Sequence, residues 1–409
     1  MRILYVNSVY PKGSTGTIVH ILNNEGQKRG DETEVCYGRG IKISDRNAYK
    51  FSFDIETLLH CAMTRVTGFT GSWSLLSTIM LLKRIQEFHP DVVHLHEMHA
   101  YFVNPGMIFR YLTAKGIPVV YTFHCEFPYT GKCGIAGNCV RWKDHCGKCP
   151  DVHKYPKSLF FDFTSFMLRR KKSDWDRLRN VIIAVPSEWM AERVRASFLR
   201  ERDIRVIWNA VNTVDVFYPH DPKALRKKHH VEGRKVVLSV APRLMSALKG
   251  GKWVLSLAEE MKNDNILFIL VGADGYDGPR PANAIVLGSI QDRYEMADYY
   301  SMADCFVLCS ELETFSLTCA ESICCGTPVV GFRCGAPETV FRPPVAAFIP
   351  YGNIEMMADE VRKMLYQKPE KKFFDEYRLL LSKERMFREY RKIYEELVQT
   401  KNSRRSECD

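Results

Sequence analysis

No stretch of this 409-residue chain reaches the roughly 20 consecutive apolar residues that a helix needs to cross a bilayer, which excludes a helical membrane span. The start does not look like a leader either. Met1-Arg2 runs straight into ILYV, a strand pattern rather than a long apolar segment, so the expected location is cytoplasmic. In that compartment the 14 cysteines are expected as thiols or metal ligands rather than disulfides. Repeats and low-complexity segments do not stand out. Gly13 and Gly16 flank Ser14-Thr15 before a helix expected to begin near Thr17, yet the spacing is neither a dinucleotide fingerprint nor a P-loop, because no Gly-Lys-Ser/Thr follows. The net charge of +10 is spread over separate clusters, Arg169–Lys172, Arg226–His230 and Arg404-Arg405, which argues against one continuous nucleic-acid face.

What is present is an alternating α/β pattern. A chain of this length predicts two domains. Apolar runs ILYV (3–6), EVCY (34–37), VVHLH (92–96), VVYTF (119–123) and VIIAV (181–185) read as buried parallel strands in the first half. VVLSV (236–240), ILFIL (266–270), IVLG (285–288), CFVLC (305–309) and VVGF (329–332) repeat the logic in the second. Segments such as Leu75–Glu87 and Asn104–Lys115 carry the apolar spacing of crossover helices. The fold class is therefore α/β with two doubly wound, Rossmann-like domains. The expected boundaries are 1–204 with a cysteine-rich insert at about 125–150, then 205–368, then 369–409, read as helices crossing back to the first domain with a disordered tail.

The most informative stretch is Ser310 to Val330, SELETFSLTCAESICCGTPVV. A strand over 305–309, a polar turn and a helix from about Phe315 to Cys325 place Glu313 just before a helix N-terminus, where unpaired N–H groups attract anions. Glu321 falls about two turns further on. Two such acids can grip two parts of a polyhydroxylated, phosphorylated ligand; an isolated pair would more simply be a dipole-stabilising acid and a solvated one. After strand 236–240 comes APRLMSALKGG, where Arg243 and Lys249 can hold a diphosphate, Arg as a fork and Lys as a point charge. Solvated loop cations are the plain alternative, but the carboxyl end of a strand in an open sheet is where ligands bind.

Taken together, these stretches resemble the retaining glycosyltransferases of family 4, which have the GT-B fold of two Rossmann-like domains facing across a cleft. Glu313 to Glu321, continuing as SICCGTPVVGFRCGAPET, resembles the family's donor-site motif. VAPRLMSALKG resembles its diphosphate loop, ILFILVGADG its central strand, and YTFHCEF the strand end whose histidine, here His124, faces the sugar. HLHEMHAYFVNP and the cysteine-rich insert resemble a subgroup that makes bacterial surface polysaccharides such as colanic acid. The resemblance implies catalytic roles for Glu313, His124, Lys249 and Arg243. It implies donor contacts from Glu321 (ribose), Gly16, Phe315, Ser316, Leu317, Thr318 and Gly272. It implies a UDP- or GDP-linked sugar donor, a saccharide or lipid-linked oligosaccharide acceptor, and no nucleic acid. Two departures stand out: Ser316 occupies a position where the family often has glycine, and Cys125 follows His124 where relatives usually carry an acid. No carboxylate is obviously placed as a nucleophile, so displacement with retention, without a catalytic metal, is expected.

Cys133, Cys139, Cys146 and Cys149, with one C-x-x-C pair, suit a structural zinc knuckle in which Cys125 or His145 could substitute; two disulfides or unliganded thiols are the alternatives. Cys305, Cys309, Cys319, Cys324, Cys325 and Cys334 follow burial patterns and read as core thiols. His94, His96 and His99 read as structural histidines, with His96 and His99 as acceptor-side candidates. SLFFDFTSFML preceding RRKK suits either docking on an anionic membrane, here the inner face, or a buried helix with a solvated end. The rival readings are a GT-B sugar-nucleotide epimerase and a zinc-stabilised basic nucleic-acid-binding protein.

Overall fold

A computed structural model describes residues 1–231 and 233–406. The chain divides into two compact units, Met1–Trp208 joined by Met386 onward, and Asn209–Arg385. In the first unit seven strands, β1 (Arg2–Asn7), β2 (Glu32–Tyr37), β3 (Ala48–Lys50), β4 (Val92–Leu95), β5 (Val119–Thr122), β6 (Val181–Val185) and β7 (Ile204–Val206), form one sheet ordered β3-β2-β1-β4-β5-β6-β7. The second unit orders β8 (Lys235–Val240), β9 (Ile266–Val271), β10 (Ala284–Leu287), β11 (Cys305–Leu308), β12 (Val329–Phe332) and β13 (Ala346–Ile349) as β10-β9-β8-β11-β12-β13. Every pairing in both sheets is parallel.

The apolar runs explain the topology. Ile3, Leu4, Tyr5 and Val6 of β1 are fully buried, as are Val236, Val237 and Leu238 of β8, because helices cover both faces of each sheet. The crossover helix Pro105–Ala114 starts as its sequence directs: Asn104 accepts from the Met107 amide at 3.3 Å and Pro105 fills the first turn. In both sheets the winding direction reverses beside the first strand of the unit, between β1 and β4 and between β8 and β11, and crevices for ligands open at the carboxyl ends of such strand pairs.

The C-terminal region differs from expectation. The helix Lys371–Leu380 stays on the second unit, where the Tyr377 hydroxyl donates to the Val340 carbonyl at 3.1 Å and accepts from the Arg342 amide at 3.0 Å. The chain returns to the first unit only from Met386, in the helix Lys383–Ser406, because that is where its buried aromatics begin. Phe387, Tyr390 and Tyr394 are buried; the Tyr390 hydroxyl meets Thr122 Oγ1 at 2.9 Å, and Arg391 pairs with Asp31 at 2.5 Å. The tail expected to be disordered is helical to Ser406, and 407–409 lie outside the described residues.

Candidate functional site

The candidate residues fall into two sets, one in each unit. In the second unit the loop after β8 is stitched to its neighbours by backbone. The Leu244 amide donates to the Gly272 carbonyl at 2.8 Å, and the Glu311 amide donates to the Leu248 carbonyl at 2.9 Å. Two glycines make these approaches feasible. A Cβ on Gly272 would stand 2.0 Å from the Ala241 oxygen, and one on Gly250 would stand 2.0 Å from the Cys309 oxygen. Gly272 therefore acts through backbone packing that seats the cationic loop.

That stitching brings Lys249 to Glu313. Nζ donates to Oε1 at 2.6 Å, with 25% and 16% of the two side chains exposed. The position of Glu313 is fixed by its own backbone, which bridges residues 334–336: its amide donates to Cys334 O at 2.8 Å and its carbonyl accepts from Ala336 N at 3.0 Å. Glu338 holds that segment by accepting from the Cys334 and Gly335 amides at 3.1 and 3.0 Å. Arg243 is exposed, sits at φ 53, and among the described residues no ion pair engages its guanidinium. It remains open to an incoming anion.

The helix behind Glu313 is shorter than the sequence suggests, Leu317–Cys324, because Ser316 caps it. Ser316 stands at φ 75, a left-handed conformation, and its hydroxyl accepts from the Cys319 amide at 3.4 Å and meets Thr318 Oγ1 at 3.1 Å. The amides of Leu317 and Thr318 in this first turn have no preceding helical carbonyl to bond. Phe315 is buried against Phe341, so it can offer backbone but not its ring. Glu321, on the second turn, accepts from the Tyr300 hydroxyl at 3.0 Å and pairs with Arg293 at 3.3 Å. Burial pushes its carboxyl up to about 6, against the pull of Arg293.

In the first unit Gly16 lies in the first turn of the helix that follows β1, which begins at Ser14 rather than near Thr17. Asn7 ties this turn to the end of β4: its Nδ2 donates to Thr15 Oγ1 at 3.3 Å and its Oδ1 accepts from the Glu97 amide at 3.2 Å. His124 follows β5, and its Nε2 faces His96 Nδ1 at 3.0 Å with the rings stacked. Burial lowers the His124 pKa to about 4 and drives that of His96 well down, so both imidazoles are neutral near pH 7. Support for His124 therefore comes from His96, and Cys125 turns aside to bond Glu97 at 3.2 Å. His99 pairs with Glu97 and meets the Tyr155 hydroxyl at 3.3 Å. His94 is a structural residue, bonded to Tyr394 and Thr122 at 2.7 Å each.

The thiols separate by environment. Cys305, Cys309, Cys319, Cys324, Cys325 and Cys334 are buried, and burial raises each thiol pKa. Cys133, Cys139, Cys146 and Cys149 line one cavity, and the Cys133 hydrogen bond holds the Cys149 thiol below its ordinary range. Among the described residues, however, only Glu97, His99 and Cys125 bring three candidate ligand atoms within 4.8 Å of one another. Cys125 belongs to that group and not to the four-thiol set, and His145 is exposed outside the cavity. Sequence reasoning missed Glu97, Arg293, Tyr300 and Glu338 as partners; Glu97 and Glu338 lie inside stretches already quoted, but partners across a fold leave no spacing signal.

Two parallel sheets of this topology, each with candidate ligand-binding residues at the carboxyl ends of its strands, are the two Rossmann-like domains of the GT-B fold. Profile matches cover most of the sequence: residues 15–215 match the family described as Glycosyltransferase Family 4, and 221–378 match Glycosyl transferases group 1. The chain belongs to glycosyltransferase family 4. It is similar to the provisionally named colanic acid biosynthesis glycosyl transferase WcaC of Escherichia coli K12, 22% identical over 97% of this chain and 100% of that protein. Among solved structures it is similar to sucrose-phosphate synthase from Thermosynechococcus elongatus, with TM-score 0.68 and 16% identity over 98% of this chain and 99% of that one. It is also similar to Anabaena Alr3699/HepE in complex with UDP-glucose, with TM-score 0.59 and 14% identity over 100% and 99%.

Proposed function

We propose that this protein is a retaining glycosyltransferase of polysaccharide biosynthesis, moving a sugar from a nucleoside diphosphate to a saccharide acceptor without a catalytic metal. The observation that carries the reading is the Lys249–Glu313 pair at 2.6 Å, beside the helix start at Ser316 and on the loop after β8 that also carries Arg243. Breaking the bond from the anomeric carbon to the diphosphate builds negative charge on the leaving oxygen and oxocarbenium character on the sugar. Lys249, Arg243 and the first-turn amides would stabilise that leaving charge. Glu313, held on Lys249, would accept hydrogen bonds from donor-sugar hydroxyls, and Glu321 would accept from the ribose. His124, neutral and supported by His96, suits a neutral hydrogen-bonding role rather than that of a charged acid.

The WcaC name supports a surface polysaccharide as product, and the UDP-glucose complex of the Anabaena protein supports a UDP-linked donor over a GDP-linked one. The four cysteines around one cavity, one already disposed to the thiolate, supply donors for a structural zinc ion, although no three of their sulfurs lie within 4.8 Å of one another, so the ion would have to draw them together. Incubating purified protein with UDP- and GDP-sugars and measuring donor hydrolysis, then transfer to oligosaccharides, tests the proposal. Retention predicts an α-linked product from an α-linked donor. An inverted linkage, or no turnover of any activated sugar, would refute it.

A further inference from the structure

The helix Asp54–Thr67 is built inside out. Its buried side chains are Thr57, His60 and Thr64, while Ile55, Leu58 and Leu59 face solvent at 75%, 70% and 60% exposure. The start of the next helix, Leu75–Phe88, does the same, burying Ser77 and Thr78 and exposing Leu75, Leu76 and Ile79. Specific polar contacts fix this orientation. His60 Nδ1 meets Ser74 Oγ at 2.7 Å and its Nε2 accepts from the Gly71 amide at 3.2 Å, while Thr64 donates to the Phe69 carbonyl at 2.7 Å. Glu56 caps the second helix by accepting from the Leu76 and Ser77 amides, both at 2.8 Å. Turning either helix over would break these bonds, so the outward apolar face is specified.

A third element extends the patch. The Leu159 amide donates to the Arg65 carbonyl at 2.8 Å, and Phe69 stacks on Phe163 at 4.4 Å, which seats exposed Phe160, Phe161 and Phe166 beside the first helix. The charges around the patch are unbalanced. Most of its acids are committed, Asp54 to Lys50 at 2.8 Å, Glu56 to the helix cap, and Asp162 to Cys149 and Thr164, while exposed Asp176 lies one turn beyond Lys172. Among the described residues, exposed Arg65, Lys157, Arg169 and Lys172 have no ion-pair partner. Of the RRKK run only Arg169 and Lys172 reach out in this way, since Lys171 turns inward to the Phe127 and Thr130 carbonyls and Arg170 bonds Ser72.

We propose that this apolar face and its cations form a docking surface for the anionic phospholipid bilayer, with Ile55, Leu58, Leu59 and Phe160 entering the headgroup–acyl boundary. Apolar side chains interleaved with cations are the composition that interfacial anchors use. A second copy of the chain is a poorer occupant, because a two-fold contact would set the same cations against each other. No helix among the described residues is long and apolar enough to cross a membrane, so attachment is to the surface. The inference is independent of the donor site, since binding needs no nucleotide.

Vesicle flotation of the full chain tests it, comparing phosphatidylcholine alone with a phosphatidylcholine–phosphatidylglycerol mixture. Binding is expected to the anionic vesicles, weakening with salt. Arg169→Ser/Lys172→Ser should lower affinity about thirtyfold, from roughly 1 kcal/mol per cation. Leu58→Ser/Leu59→Ser should weaken it at every salt concentration while circular dichroism and donor hydrolysis stay unchanged. Failure to float with anionic vesicles, equal flotation with neutral ones, or vesicle-free dimers that the leucine variant dissociates would overturn the proposal.

Discussion

Glu321→Gln should make the free protein more stable while disabling it. Raising a carboxyl from its ordinary 4.5 to about 6 means that folding disfavours the ionised form by at most about 2 kcal/mol. The sign follows directly. The folded state holds this proton more tightly than the unfolded one, so the group's own penalty is absent below about pH 4.5 and grows to its full size as pH rises through about 6. Glutamine accepts the same hydrogen bond from Tyr300 without a charge to desolvate. The Arg293 contact it weakens is worth little, because that arginine is 42% exposed. At about 2–4 °C per kcal/mol, the variant should melt about 4–8 °C above wild type near neutral pH, and the gap should close at about pH 4.5. If Glu321 binds the ribose as proposed, the variant should also lose about 1.5–3 kcal/mol of donor affinity, roughly one to two decades. Melting curves across pH, with and without UDP, read both effects. A folded variant less stable than wild type near neutral pH, or one stabilised equally by UDP, would refute the reasoning.

Further outcomes follow from the same geometry. Lys249→Ala should lower kcat by about 10–100-fold with an unchanged circular dichroism spectrum, since it removes a cation from the leaving charge and one partner of Glu313. Ser316→Gly should be tolerated or should raise stability by about 1 kcal/mol, because relief at φ 75 outweighs the few tenths lost at the cap; a clear loss in thermal denaturation would contradict this. His124 titrates at about 4, so its protonation gives kcat no inflection between pH 6 and 8, and any break there that disappears in His124→Gln would contradict the neutral-imidazole reading. Elemental analysis of protein purified without chelator should find zinc near one per chain, lost in Cys146→Ser together with melting temperature; a metal-free wild type would remove the zinc proposal.

The strands were legible wherever burial on both faces wrote a continuous apolar run, as in ILYV and ILFIL. β3 (AYK) and β13 (AAFI) were not, because short edge strands with half-buried side chains carry no such run. The inverted helix at Asp54–Thr67 was illegible for the opposite reason: its apolar stripe reads as a core face, and only the partners of His60 and Thr64 turn it outward. Glu313 and Lys249 could be singled out one by one, but their ion pair depends on loop closures at Gly250 and Gly272 that are long-range contacts. Cys125 stood where an acid was expected, and the segment just beyond β4 supplied Glu97 and His96 instead.

Titrating UDP-glucose into wild-type protein and into Lys249→Ala and Glu321→Gln variants by calorimetry tests the central claim most directly. Measurable binding by wild type, with each variant weakened at least about tenfold, is the predicted result. Binding by both variants at wild-type strength would contradict the assignment of the second unit's crevice as the donor site.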